Sequence, residues 1–369
     1  MPGKTDQDER VAAALAREFE AAGLLGRDVS RLTNAEPADL DILPVVLGSE
    51  RAEALRAAGI TVTSIGIDDD ADQVTVFLSK AVPARLRTTL PVAEGEVKIG
   101  WAVQRFQAVN PGKVGGAEPE ARRLQPAAEP IRCGASISLG NTRAAGTFGA
   151  ILRLDGNDAL YGLTCNHVTG GCNIVPPGVP VVHPGVLDVD MSTTRMEMLG
   201  FHDRVLPIRQ GQVSVLDTGE NDDVALFSIR DGALVSSLQG KDVDTPTHAA
   251  SPQAGLRVRK AGRSTGITRG RVREVMPHAI DYNYQVPVNA TTVKTFQGVC
   301  NFRQVWRIQG TGRNFAQAGD SGSLVTTEDG SAAVGLLYAA DRSSGDGYIL
   351  PLEPILHKLN AELVAAHNI

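Results

Sequence analysis

From residue 131 to residue 352 the sequence is a succession of short apolar runs: "GASISLG", "AGTFGAILRL", "LYGLTCN", "DVALFSI", "LRVRKAG", "TRGRVREV", "SGSLVTT", "AAVGLLYAA" and "GYILPL". Each is closed off by Gly, Asn, Asp or Pro. Runs this short do not sustain helices, and strands recurring at such spacing bury their edges only by pairing into antiparallel sandwiches or barrels. Helical text returns only over residues 354–366. The spacing therefore predicts a mainly β domain over residues 131–369.

The text upstream is different. Thr5 with Asp8 three residues on, then Val11, Leu15, Phe19 and Ala22 at helical spacing, predict a capped amphipathic helix within residues 1–27, ending near Gly23 or Gly26. Next come "ILPVVL", a helical "SERAEALRAAG", "ITVTSIGI" and "QVTVFLS", in which Val74, Val76 and Leu78 alternate. This reads as a small α/β appendage over residues 38–109. Residues 110–130, "NPGKVGGAEPEARRLQPAAEP", are rich in Pro, Gly, Ala and charge, without apolar periodicity, and read as a linker. A chain of 369 residues has room for both units.

Several function classes are disfavoured. The net charge of -6 gives no global field for nucleic acid or an anionic membrane. Arg257, Arg259, Arg269, Arg271 and Arg273 alternate as on the solvent face of a hairpin and lack the interleaved aromatics of a nucleic-acid platform. No apolar stretch approaches the roughly 18 residues that cross a bilayer. The N-terminus has no apolar core or small-residue cleavage site of a secretory signal, so a cytoplasmic location is expected. There Cys133, Cys165, Cys172 and Cys300 would be reduced.

Chemistry concentrates in "FAQAGDSGSLVTTEDG", where Ser321 stands between glycines. Gly, Asp and Ser also make ordinary turns, so the stretch alone leaves a turn serine and a nucleophile both open. A nucleophilic serine needs a base and a carboxylate to orient that base. Of the seven histidines, His167 in "YGLTCNHVTGG" ends an apolar run and would project from a strand end. In "GENDDVALFSI", Asp222 and Asp223 directly precede a buried run. Asp223 abuts the strand and is the better candidate, while solvated turn residues are the alternative reading of both. Cys165, His167 and Cys172 can be drawn as a metal set, but no fourth ligand is evident. Neither a metal nor an organic cofactor is implied.

In the order His, Asp, Ser, the segments "TCNHV", "DDVALF" and "AGDSGSLV" resemble the three signature segments of trypsin and chymotrypsin-like serine peptidases, in the style of non-secreted bacterial and plant members. The α/β-hydrolases and subtilisins run in other orders. The resemblance covers roughly residues 131–355, with support from "AGTFGAIL", "RVRKAGRSTGITRGRV" and "AAVGLLYAAD", the last similar to the strand that lines the substrate cleft. It implies two antiparallel β-barrels of the chymotrypsin-like type with the active site between them, the N-terminal helix and α/β unit being additions. It further implies Ser321 as nucleophile, His167 as base, Asp223 as orienting acid, and the N–H groups of Gly319 and Ser321 as oxyanion hole.

By position, Phe315 would form the base of a substrate pocket, with Tyr338, Ala339 and Ala340 along one wall and Asp346 on the other. An apolar base favours an apolar side chain before the scissile bond, whereas an inward Asp341 or Asp346 would select Lys or Arg. In the family Asp320 often pairs with a new N-terminus after activation cleavage, and a C-terminal helix closes the second barrel. The sequence departs in lacking a cysteine directly after the histidine and in carrying Ser323 where glycine is usual. The implied partner is a protein or peptide substrate. A regulatory protein partner, self-association through the N-terminal unit, and a protease-fold scaffold with a latent triad are left open.

Overall fold

The computed structural model describes residues 4–25, 43–104, 106–107, 129–189, 195–209, 221–241, 243–276, 280–283, 286–287, 295–296, 299–302 and 304–369. Most of the expected linker, residues 110–128, lies outside them.

The N-terminal unit opens with α1 (Lys4–Ala21), followed by α2 (Ser49–Ala57) and the strands β1 (Val62–Asp68), β2 (Gln73–Leu78) and β3 (Val97–Val103). Val11, Leu15 and Phe19 recur every fourth residue and bury one stripe of α1, and the helix stops where Gly23 takes a φ of 63°. Phe19 meets Trp101 of β3 edge-on at 6.2 Å. The alternating Val74, Val76 and Leu78 are buried beneath this helix in a cluster of their own. After β3 the chain continues into a two-residue strand, β4 (Phe106–Gln107).

The first half of the β domain is a curled antiparallel sheet built on β5 (Ser136–Leu139), β6 (Ala150–Leu154), β7 (Leu160–Thr164), β8 (Pro180–His183), β9 (Glu197–Leu206) and β10 (Val224–Ile229). The second half is built on β11 (Arg257–Gly262), β12 (Gly266–Met276), β13 (Val305–Gly310), β14 (Leu324–Thr327), β15 (Ala333–Asp341) and β16 (Gly347–Pro351). These six strands close in the order β11, β14, β15, β16, β13, β12, with β12 returning to β11. Closure pairs most of the backbone of these short strands, and the ends of β12 and β15 that extend beyond it take β1 and β4 as neighbours. The largest apolar cluster among the described residues fills the first half, where Phe148 and Phe227 pack at 5.5 Å, and continues into the second through Leu324, Leu336 and Leu350.

Three expectations need correction. The helical text of residues 354–366 splits: α3 (Leu352–Leu359) ends where Asn360 adopts a left-handed conformation at φ 47°. The chain then becomes β17 (Ala361–Leu363), which pairs with β6 and forms the outer strand of the first half's sheet. The terminal segment therefore ties both halves together rather than closing the second alone. Arg259, expected on the solvent face, is buried, because β11 is flanked by β12 and β14 and opens to solvent only at Arg257. Finally, the α/β unit is not a separate body on a tether. Ile67 of β1 pairs with Val275 of β12, so one sheet runs from the second barrel through β1, β2 and β3.

Ionic contacts follow that seam. Arg273 pairs with Asp68 at 2.9 Å and Arg271 with Asp70 at 3.6 Å. Thr75 of β2 donates to Glu274, which is held in turn by Arg307. The basic stripe read from the sequence thus faces acids of the same chain, including Glu328 beside Arg257 and Arg269.

His202 on β9 is buried, and its Nδ1 has no hydrogen-bond partner among the described residues. Burial, opposed by Asp203, holds its pKa below the ordinary value of 6.5. The unfolded chain therefore takes up this proton first, so stability falls as pH drops from that value toward the lower folded one. Urea unfolding from about pH 8 to about pH 5 is expected to show a shallower pH dependence in His202→Gln than in the wild type. Equal slopes would remove His202 from the acid sensitivity.

Candidate active site

The strand β7 delivers its last residue into a single helical turn, Asn166–Gly170, that carries His167 at the junction of the two halves. Asn166 anchors the turn. Its amide donates to Leu206 O at 3.0 Å and to Asn173 Oδ1 at 2.7 Å, and Asn173 N returns a bond to Asn166 Oδ1 at 3.1 Å. Asn173 also accepts from Ile208 N at 3.0 Å, so the histidine turn is sewn to the end of β9.

The two adjacent acids separate as successive residues entering a strand should, one to each face. Asp222 turns outward to pair with Lys358 of α3, with burial raising its pKa and the lysine opposing that rise. Asp223 is fully buried and faces His167. One carboxylate oxygen lies 2.5 Å from His167 Nδ1 and the other accepts the His167 backbone N–H at 3.0 Å. This two-point hold orients the ring, with Nδ1 directed at the carboxylate.

Ser321 sits at the turn preceding β14, partly exposed, and its hydroxyl donates to Tyr338 O at 3.1 Å. Flanking glycines are required here. Gly322 has φ 96°, and a Cβ there would lie 2.4 Å from both Thr147 O and Thr164 Oγ1. Gly319 also has φ 96°, and its Cβ would meet Arg263 Nη1 at 2.4 Å.

Hydroxyls orient the peptide planes on either side. Ser264 Oγ donates to Ala318 O at 2.5 Å, and Ser323 Oγ donates to Asp320 O at 2.6 Å. In a trans peptide the N–H points opposite the carbonyl, so these bonds aim the N–H groups of Gly319 and Ser321 away from the serines that grip the preceding carbonyls. Thr147 of the first half completes the clamp, donating from N to Ser321 O at 2.8 Å and from Oγ1 to Gly319 O at 2.9 Å. Ser323, noted in the sequence only as a departure from glycine, is thus a working part of the turn.

Asp320 is the charge behind this turn. Its carboxylate accepts from Ser264 N, Thr265 N, Thr265 Oγ1 and Gln317 N and lies 3.4 Å from Lys260 Nζ. Both members of that ion pair have no exposed side-chain surface. Burial pushes the Lys260 ammonium pKa down and Asp320 opposes the shift. The role that a new N-terminus often plays toward this aspartate in the family falls here to Lys260, and Ile131 donates its N–H to Leu234 O. Beside it, buried Arg263 reaches across the junction to Asp188, with Nε to Oδ2 at 2.7 Å.

The residues named for a substrate pocket are placed differently. Phe315 is wholly buried in the core of the second barrel, beneath Lys260 Nζ at 5.7 Å from its ring. The Tyr338 ring is equally buried against Phe302 at 5.0 Å, and Ala339 and Ala340 are covered. Asp346 is bound to Arg307 at 2.5 Å and lines a cavity of about 580 Å³ at the seam with the α/β unit, together with Gln73, Thr75, Trp101 and Glu274. Asp341 holds the turn after β15 through Ser343 and Ser344. Phe315 and Tyr338 therefore present core packing rather than pocket surface.

All four cysteines are free and buried. Cys165, His167 and Asp223 bring ligand-type atoms within 4.8 Å of one another, a different trio from the one drawn on the sequence. Both Asp223 oxygens are engaged by His167, and the Cys165 thiol, its pKa raised by burial, donates to Leu337 O at 3.4 Å. The donor atoms of this trio are thus already engaged within the chain.

Sequence reasoning missed Thr147, Lys260, Arg263, Ser264 and Asn173. Their roles come from distant segments meeting in space. Only "TCNHV", with an amide next to the base, carried a local hint.

A closed antiparallel barrel beside a curled antiparallel sheet is the architecture of the chymotrypsin-like fold. No protein-family model and no curated protein matches the chain. Among solved structures, Thermobifida fusca protease A is similar at 20% identity and a TM-score of 0.41, covering 64% of this chain and 99% of its own. Nocardiopsis protease is similar at 15% identity and a TM-score of 0.42, covering 63% and 98%. Cellulomonas bogoriensis chymotrypsin is similar at 18% identity and a TM-score of 0.38, covering 64% and 99%.

Proposed function

We propose that the chain is a serine endopeptidase that hydrolyses peptide bonds through an acyl-enzyme. The observation that carries this is the two-point hold of Asp223 on His167 beside a serine on a glycine-flanked turn. Ser321 Oγ leaves Tyr338 O, attacks the scissile carbonyl and passes its proton to His167 Nε2. The tetrahedral oxyanion is received by the N–H groups of Gly319 and Ser321, each such donor being worth about 3 kcal/mol. The carbon–nitrogen bond breaks as His167 protonates the leaving amine, and water, deprotonated by the same nitrogen, releases the acyl group.

A second reading, a protease-fold scaffold, is favoured by one contact: the Ser321 hydroxyl is given to Tyr338 O. Intact-protein mass spectrometry after fluorophosphonate treatment separates the two. A single adduct on the wild type, lost in Ser321→Ala and His167→Ala, is the expected result. An unlabelled wild type would leave the scaffold.

A further inference from the structure

One edge of β15 is held by β16 from Gly335 to Ala340. Along the other edge the neighbours follow in sequence. First comes β14, opposite Ala333–Leu336, and then Gly322, whose N–H donates to Leu337 O at 2.8 Å. Ser321 follows, with its hydroxyl on Tyr338 O. Beyond it lies β4, with Gln107 opposite Ala340 and Phe106 opposite Asp341. At strand spacing Ala340 is about 7 Å from Tyr338. The pairing is antiparallel, so the C-terminal end of β4 is the end nearer Ser321.

The nucleophile and β4 thus share one edge of one strand. An extended peptide that adds to this edge with a carbonyl at Ser321 must run along the edge at Ala340, where β4 already lies, since both main-chain groups of Asp341 are bonded to Gly345 and Asp346. The geometry points to β4 as a resident occupant of the peptide-accepting edge, which a substrate strand displaces in order to reach Ser321. The inference rests on the proposed peptidase reading. The anchor of β4 lies just upstream: Gln104 is buried, donates to Tyr348 OH at 3.1 Å and accepts from Ser64 Oγ at 2.7 Å. A ladder of two residues beside such an anchor can open while the α/β unit stays on its seam, and apparent substrate affinity then falls by the fraction of molecules that are open.

Gln107→Pro in the full chain tests this, since proline removes a main-chain donor and disfavours the ladder without touching Gln104. Three quantities are read: labelling by a fluorophosphonate, which needs no strand edge; hydrolysis of fluorescent casein, which does; and deuterium exchange at the Ala340 amide. Unchanged labelling with casein hydrolysis and amide exchange each about tenfold faster is expected. Unchanged casein hydrolysis at normal labelling overturns the inference. Absence of labelling in both proteins counts against the peptidase reading instead, and exchange alone then decides whether β4 occupies the edge, with equal rates overturning it. Phe106→Pro, read the same way, guards against a folding defect peculiar to the first variant.

Discussion

Replacing Asp223 with asparagine is expected to lower turnover about 10⁴-fold with little change in fold. The carboxylate accepts at both oxygens, from His167 Nδ1 and from His167 N. An amide cannot do both. If its oxygen keeps the backbone N–H, its NH2 faces Nδ1 and forces the proton to Nε2, where it blocks acceptance from Ser321. If it flips, two N–H donors oppose each other in a fully buried site. Steady-state hydrolysis of a peptide substrate and the rate of fluorophosphonate labelling both read this loss. Retention of activity within a factor of ten would show that His167 is not held by this acid in the working enzyme.

The second large effect concerns Lys260. Lys260→Met strands the Asp320 carboxylate in a site without solvent, and breaking a buried pair in this way costs about 3 kcal/mol, the lower part of the usual range because four other donors remain on the carboxylate. The turn that carries Gly319 and Ser321 hangs on those same donors, so labelling should slow together with the loss of stability. The double variant Lys260→Met, Asp320→Asn removes the unpaired charge and should recover part of the loss. Urea unfolding of the singles and the double measures the coupling. Additive losses would mean that the pair does not interact as drawn.

These effects show which parts of the site the sequence made legible. Ser321, His167 and Asp223 stand out in the sequence because each lies where an apolar run meets a turn, and because their order along the chain differs from that of other triads. The choice of Asp223 over Asp222 was a matter of one position, and the structure explains it by the alternation of faces entering β10. Phe315 misled because its place six residues before Ser321 was read for proximity to a pocket, whereas its direction depends on Gly270 and Gly347, which leave room for its ring in the barrel core. Lys260 and Arg263 lie within the basic run from Arg257 to Arg273 and carry no distinguishing mark of their own in the sequence. Nothing local distinguishes a solvated cation from one that meets Asp320 or Asp188 across a long loop.

The seam between β1 and β12 has a consequence for any nick in the chain. A cut between residues 110 and 128 would sever the covalent path yet leave the main-chain pairing of Ile67 with Val275 and the contacts of Asp68, Thr75 and Gln104 intact. The product would be a two-piece particle that sediments as one, and separating its pieces would strip cover from Glu274 and Arg307, carboxylate and guanidinium together.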